Sequence, residues 1–124
     1  MSSYTANRGA VREDDLREIC SLPAQFPTSG LSWVDLVHQS PLSTDQSRLT
    51  IGDLTEILRS SPDLVDLWLA WSQDKRSTSG AFFRQSGSRY EVGYIGSEGG
   101  SQPSEFFEES ARACAHFILR ELAV

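Results

Sequence analysis

The chain has 124 residues, 39% of them hydrophobic, which suits one folded domain with a single core. Its 17 acidic and 11 basic side chains give a formal net charge of −6, which disfavours binding to nucleic acid or anionic membranes and favours a partner with a basic surface. No stretch approaches the roughly 20 apolar residues of a membrane span, and the N-terminus does not resemble a secretory signal, so we expect a cytoplasmic protein.

The N-terminal part begins with a polar segment, residues 1–10, which we expect to be a flexible lead. Residues 11–124 then form the single predicted domain. Acidic residues followed by an apolar pattern at helical spacing predict a short helix that begins near Glu13 and is ended by Pro23. The turn residues at 27–30 predict a loop.

Three further helices are predicted from capping residues. Ser32 can cap a brief helix, and Thr50 can cap another that extends to about Arg59. Pro62 then occupies a first helical turn, where its missing N–H costs nothing, and Asp63 favours the helix dipole. Among the helix starts of the chain, the one at Pro62 has the clearest sequence signal.

The helix that begins at Pro62 is predicted to be amphipathic. Its apolar face comprises Leu64, Leu67, Trp68 and Trp71. The opposite side comprises Asp63, Asp66, Ala70 and Asp74. We therefore expect an acidic ridge behind an aromatic core.

A β-hairpin is predicted next, because residues 81–84 and 90–95 are rich in aromatic and branched side chains and Ser86–Ser88 supply a turn. Gly93 indicates a bulge or a close approach of two backbone segments. Residues 103–105 are predicted to open a long final helix that packs on the hairpin, with a stripe of Phe107, Ala111, Cys114, Ile118 and Leu122. The predicted fold class is therefore α+β: a helical N-terminal half, an antiparallel hairpin or small sheet, and a C-terminal helix. Whether a third strand joins the hairpin is left open.

No catalytic or metal-binding constellation is predicted. Cys20 and Cys114 lie in apolar helical patterns and are expected to be buried free thiols. Cys114 and His116 are two residues apart on a helix and point in different directions, so we expect His116 to be a solvated histidine and not a catalytic base. The cysteines and histidines lack the paired spacing of zinc sites, and we expect no enzyme activity, metal or cofactor.

The segment from Trp68 to Gly80 joins tryptophans to a charged turn rich in hydroxyl groups. One interpretation is structural, with Asp74 and Arg76 fixing the turn from helix to strand. The other is functional, with the acidic ridge offering negative charge while an aromatic edge anchors a partner.

Three runs of the C-terminal half, WSQDKRSTSGAFF (71–83), YEVG (90–93) and ACAHFILREL (113–122), resemble small immunity proteins encoded beside bacterial polymorphic or contact-dependent toxins. This resemblance implies that the protein binds a cognate toxin domain in the producing cell and blocks its active site or substrate entrance. The expected contact residues are charged and fall into two groups: Asp63, Asp66 and Asp74 with Lys75 and Arg76, and a second acidic cluster of Glu105, Glu108 and Glu109.

Two alternatives remain. A secretion chaperone or adaptor, which holds an effector protein before export, is also small, acidic and α+β, but is usually a dimer. The second alternative is a small enzyme that uses Cys114 or a carboxylate, which loss of an activity on Cys114→Ser substitution without loss of fold would support.

Overall fold

The computed structural model describes residues 13–40, 49–73, 81–94 and 104–122. Within these ranges it has six helices and one three-stranded antiparallel sheet. The helices are α1 (Glu13–Cys20), α2 (Leu22–Ser29), α3 (Trp33–Gln39), α4 (Ile51–Ser60), α5 (Pro62–Gln73) and α6 (Ser110–Leu122). The strands are β1 (Ala81–Ser86), β2 (Arg89–Tyr94) and β3 (Glu105–Phe107). The predicted α+β architecture, with a helical N-terminal half and a C-terminal helix packed on a small sheet, is confirmed. No helix in the described ranges is long and apolar enough to cross a bilayer.

The region after α1 differs from the prediction, because α2 replaces the predicted loop. Pro23 does not end the first helix, which stops at Cys20, but lies in the first turn of α2, where a proline is tolerated. The helix continues through Pro27 to Ser29 and is capped by Gly30, whose φ of 73° is left-handed. Tertiary packing stabilises it, since the ring of Phe26 lies 5.3 Å from that of Trp71.

The predicted starts of α3, α4 and α5 are confirmed. Ser32 accepts a hydrogen bond from the backbone N–H of Asp35 (3.1 Å), and Thr50 accepts one from that of Asp53 (3.0 Å). α5 begins at Pro62. Local capping chemistry therefore fixes where these helices begin.

The predicted hairpin is also confirmed. β1 and β2 are joined by a two-residue turn in which Gly87 has a φ of 65°. A third strand, β3, pairs antiparallel with the other edge of β2 and places Phe107 opposite Tyr90. The final helix consequently begins at Ser110 and not at residues 103–105, because the residues before it complete the sheet.

Helix α6 covers one face of the sheet and connects it to the other helices. Its Phe117 ring lies 5.6 Å from that of Phe83 in β1 and 5.9 Å from that of Trp68 in α5. At the edge of the sheet, Ser72 of α5 accepts a hydrogen bond from the backbone N–H of Phe83 (2.8 Å). One backbone N–H on the unpaired edge of β1 therefore has a hydrogen-bond partner within the molecule.

The core is centred on three buried tryptophans, Trp33, Trp68 and Trp71. The rings of Trp33 and Trp71 are 4.5 Å apart, and that of Trp68 lies edge-on to Trp33 at 6.1 Å. Each indole N–H donates to a distant acceptor. Trp68 donates to the backbone carbonyl of Cys20 (2.7 Å), Trp33 to that of Glu121 (3.3 Å), and Trp71 to Oε1 of Glu121 (2.9 Å).

Replacing Trp68 with alanine should lower the free energy of unfolding by about 3–5 kcal/mol, because the substitution leaves a large cavity. Urea denaturation followed by circular dichroism measures this loss. The matched control is Gln73→Ala in the same helix, at an exposed position, where a change within about 0.5 kcal/mol is expected. A loss below about 1 kcal/mol on Trp68→Ala would contradict the buried position of the ring.

Gly93 is closely approached, but by side chains and not by a second backbone segment as predicted, and the strand register shows no bulge at this position. A Cβ atom at this position would lie 2.8 Å from the Oγ of Ser104 and 2.9 Å from Cζ of Phe82. The Phe82 ring occupies the space that a side chain on Gly93 would need. Because Gly93 has no side chain, the Phe82 ring of the neighbouring strand can lie directly over its Cα atom.

Gly93→Ala should destabilise the fold by about 1–3 kcal/mol, because the added methyl group forces the Phe82 ring to move. Gly52→Ala is the matched control, since the same change in α4 meets no atom closer than 3.9 Å. It should stabilise the protein by up to about 1 kcal/mol. Equal effects of the two substitutions in urea denaturation would exclude the steric explanation.

Candidate functional site

The acidic side of α5 lies where the sequence predicts it. Asp63, Asp66 and Ala70 are exposed, whereas Trp68 and Trp71 on the other side of the helix are buried. Asp63 and Asp66 are three residues apart, so their side chains are neighbours on the helix surface. The other three predicted contact residues of this group, Asp74, Lys75 and Arg76, lie outside the described residues, as does the turn to which the structural interpretation assigns Asp74 and Arg76.

Helix α1 adds further acidic residues to this region. Sequence reasoning did not predict that α1 lies beside α5. Arg17 donates from Nε to Glu13 (2.9 Å) and from Nη1 to the hydroxyl oxygen of Ser61 (2.8 Å), immediately before α5. The acidic first turn of α1 therefore lies beside the start of α5. Glu13, Asp63 and Asp66 are all exposed and are called the acidic surface below, although Arg17 offsets the charge of Glu13. Glu13 and Ser61 are 48 residues apart, which is why no local sequence signal connects them.

The second predicted acidic cluster contains two carboxylates that form ion pairs within the molecule. Glu109 accepts a two-pronged interaction from Arg59, with Nε–Oε2 at 2.5 Å and Nη2–Oε1 at 2.9 Å. Glu105 accepts from Nη2 of Arg120 at 2.7 Å. Glu108 is exposed. Less negative charge is therefore open to a partner here than the sequence alone suggests, and contact by these residues stays a prediction.

The ion pair between Arg59 and Glu109 lowers the pKa of the Glu109 carboxyl. The hydrogen bond from Arg59 is the main cause; burial opposes it by raising the pKa, and the charges of Arg59 and then Arg112 lower the pKa further. Because the pKa in the folded state is below the ordinary value of 4.5, the pair stabilises the fold at higher pH. This contribution is lost as the pH falls through the lowered pKa.

Arg59→Gln should raise the pKa of Glu109 towards its ordinary value, as measured by NMR titration of the side-chain carboxyl carbon. It should also reduce the loss of stability on acidification, because the pair no longer favours the ionised carboxylate. Arg112→Gln is the matched control and should shift the pKa less, since Arg112 acts on Glu109 only through its charge. Equal shifts in the two variants would contradict the assigned cause.

His116 is not the solvated histidine that the sequence predicts. Its ring lies 4.6 Å from that of Phe107, and its Nε2 is buried without a hydrogen-bond partner. Burial lowers the pKa of His116, which Glu105 partly opposes. The strand β3 explains the difference, because it places Phe107 against α6, where the sequence predicted open solvent.

Both cysteines are buried free thiols, as predicted. Burial raises the pKa of Cys20 to about 12 and that of Cys114 well above its ordinary value. A neutral, buried thiol is a poor nucleophile, which disfavours the alternative of an enzyme that uses Cys114. Among the described residues, no three His, Cys, Asp or Glu side chains are placed to hold a metal ion.

The outward face of the sheet is a second surface that sequence reasoning missed: its Arg84, Arg89 and Phe106 are exposed, whereas its Phe82 is half-buried and its Glu91 is buried. Arg84, Glu91 and Phe106 lie side by side across the three strands, on the face opposite to α6. Phe82 and Arg89 lie on the same face. These five residues are called the outward sheet surface below. Only the strand register brings them together, so the sequence pattern of the hairpin alone does not reveal them.

The chain was compared with protein-family models, curated proteins and solved structures, and none of them matches it. Inferences about function therefore rest on the geometry of the molecule. This geometry consists of an acidic surface and an outward sheet surface, both carried by a scaffold whose centre is a cluster of buried indole rings.

Proposed function

We propose that this protein is an immunity protein that binds a cognate toxin domain in the producing bacterial cell and blocks the toxin's active site or substrate entrance. The observation that carries the proposal is the exposure of Asp63 and Asp66 on a helix whose other side is held by buried tryptophans. The resemblance of residues 71–83, 90–93 and 113–122 to small immunity proteins supports it. Neutralisation of this kind requires complementary shape and charge, and no bond is made or broken.

The rigidity of α5 matters for binding. Trp68 and Trp71 fix the helix through ring contacts and through hydrogen bonds to α1 and α6. A surface that is already ordered before binding loses little conformational entropy when the complex forms. The carboxylates of Asp63 and Asp66 can therefore meet a basic patch on the toxin without rearrangement of the helix.

The charge of the acidic surface should act mainly on the rate of association. Opposite charges on two proteins accelerate their encounter, and salt screens this attraction over about 10 Å at 0.1 M ionic strength. A net charge of −6 gives the whole molecule the same sign as its acidic surface. A basic toxin domain would therefore be attracted by the molecule as a whole and oriented by the acidic surface.

The double substitution Asp63→Lys with Asp66→Lys should slow association with the natural partner by about tenfold or more at low salt. The partner is captured from the producing cell on the tagged protein, identified, and its binding followed by surface plasmon resonance. The matched control is Asp35→Lys with Asp53→Lys, which changes two other exposed acids by the same charge. Asp63, Asp35 and Asp53 each lie in the first turn of a helix, so each substitution there should cost about 0.3–1 kcal/mol, and both variants should remain folded.

Unchanged association of the Asp63→Lys, Asp66→Lys variant would exclude the acidic surface as the contact. The proposed activity itself is tested by co-expression with the captured partner. Growth should be inhibited by the partner alone, restored by the wild-type protein, and restored less by the variant. A partner that is harmless alone and is exported more efficiently with this protein would instead indicate the secretion chaperone, and dimerisation in light scattering would support that outcome.

A further inference from the structure

The outward sheet surface carries two arginines that are each stacked on a phenylalanine ring. Cζ of Arg84 lies 4.8 Å from the centroid of the Phe82 ring, and Cζ of Arg89 lies 4.7 Å from that of the Phe106 ring. A guanidinium group above a ring is held by cation–π attraction, which leaves its N–H edge directed away from the ring. The two basic groups are therefore positioned before any partner arrives.

The single carboxylate of this surface, Glu91, is already engaged. It accepts a hydrogen bond from Nε of Arg84 at 2.8 Å. A hydrogen bond with Ser104 is the main cause that lowers the pKa of Glu91, and Arg84 lowers it further. Glu91 is therefore ionised at neutral pH and balances one arginine, so the outward sheet surface has a net charge of +1 in a protein whose total is −6.

The composition of this surface is typical of protein interfaces. Among the residues that the structure describes, Phe106 is the one large hydrophobic side chain that is exposed, at 45%. Arginines and aromatic residues are enriched where partner binding is strongest. A guanidinium fork also matches the two oxygens of a carboxylate, so the surface combines an apolar contact with a site for an anion.

We propose that the outward sheet surface binds an acidic segment of a partner protein, with a carboxylate of that segment on the N–H edge of Arg89 and a neighbouring apolar side chain against Phe106. This inference goes beyond the proposed function, because the acidic surface takes a basic partner and the outward sheet surface takes an acidic one. The excess of positive charge on this face supports the choice of an acidic segment. A nucleic-acid strand is disfavoured, since Arg89 is the one arginine of this five-residue surface that Glu91 does not engage, and a strand needs several basic groups to follow its successive phosphates.

NMR on the isotope-labelled, full-length protein tests the proposal with a defined probe, an octapeptide of alternating glutamate and leucine. We expect shift changes in the backbone amides of β1, β2 and β3 and in the side-chain Nε–H groups of Arg84 and Arg89. The control peptide, in which glutamine replaces each glutamate, should bind about tenfold more weakly or not at all, because the ionic hydrogen bonds are lost. Oligothymidylate should not bind.

Two variants separate the contributions of charge and apolar contact. Arg89→Gln should weaken peptide binding by about tenfold, and Phe106→Ser by a similar factor. Arg112→Gln, which removes an exposed arginine from α6, is the matched control and should bind as the wild type does. The Asp63→Lys, Asp66→Lys variant should also bind the peptide normally, so that failure of this proposal and failure of the proposed function are distinguishable.

Several results would overturn the proposal. Equal binding of both peptides would show that the carboxylates of the peptide do not contribute to binding. Binding of oligothymidylate without binding of the glutamate peptide would identify the surface as a nucleic-acid platform. Shift changes that depend on protein concentration alone would identify a second copy of the chain as the occupant, and the absence of any change at millimolar peptide would exclude the site.

Discussion

The structure depends on one requirement: each of three buried indole N–H groups must have a hydrogen-bond acceptor. An unpaired polar group in a core costs about 1–3 kcal/mol, so each buried tryptophan requires an acceptor as well as apolar neighbours. The acceptors come from the last turns of α1 and α6, through the carbonyl of Cys20 and the carbonyl and carboxylate of Glu121. These bonds span 48 to 88 residues of sequence and fix α1, α3, α5 and α6 against one another. The buried carboxylate of Glu121 is thus explained by the donor that it satisfies.

Both exposed surfaces follow from this arrangement. Burial of Trp68 and Trp71 on one side of α5 leaves Asp63 and Asp66 on the other, and the position of α1 adds Glu13 to them. Helix α6 packs against one face of the sheet, and Arg84, Arg89 and Phe106 on the opposite face are exposed. The molecule therefore separates a negative surface on the helices from a weakly positive, aromatic surface on the sheet. Such a separation would suit the proposed function, which is binding to another protein.

The sequence was sufficient to predict the helices and turns that are specified by neighbouring residues. The cap at Thr50, the proline at the start of α5 and the turn at Gly87 are examples. Elements stabilised by distant partners were either missed, as α2 was, or left open, as the third strand was. α2 contains two prolines and is held by packing of Phe26 on tryptophans, and β3 has only three residues and exists because β2 offers an edge.

The same distinction applies to the candidate site. Exposure of Asp63 and Asp66 followed from helical periodicity, whereas the pairing of Arg59 with Glu109 joins residues 50 positions apart and cannot be read from a local pattern. The central claim is that binding uses ordered surfaces on an unchanged core. Hydrogen exchange of the protein, free and in complex with its captured partner, tests it most directly. The account predicts added protection in the first turns of α1 and α5 and unchanged exchange for core amides of α6. New protection throughout α6 and the sheet core would show that the fold becomes ordered on binding and would contradict the account.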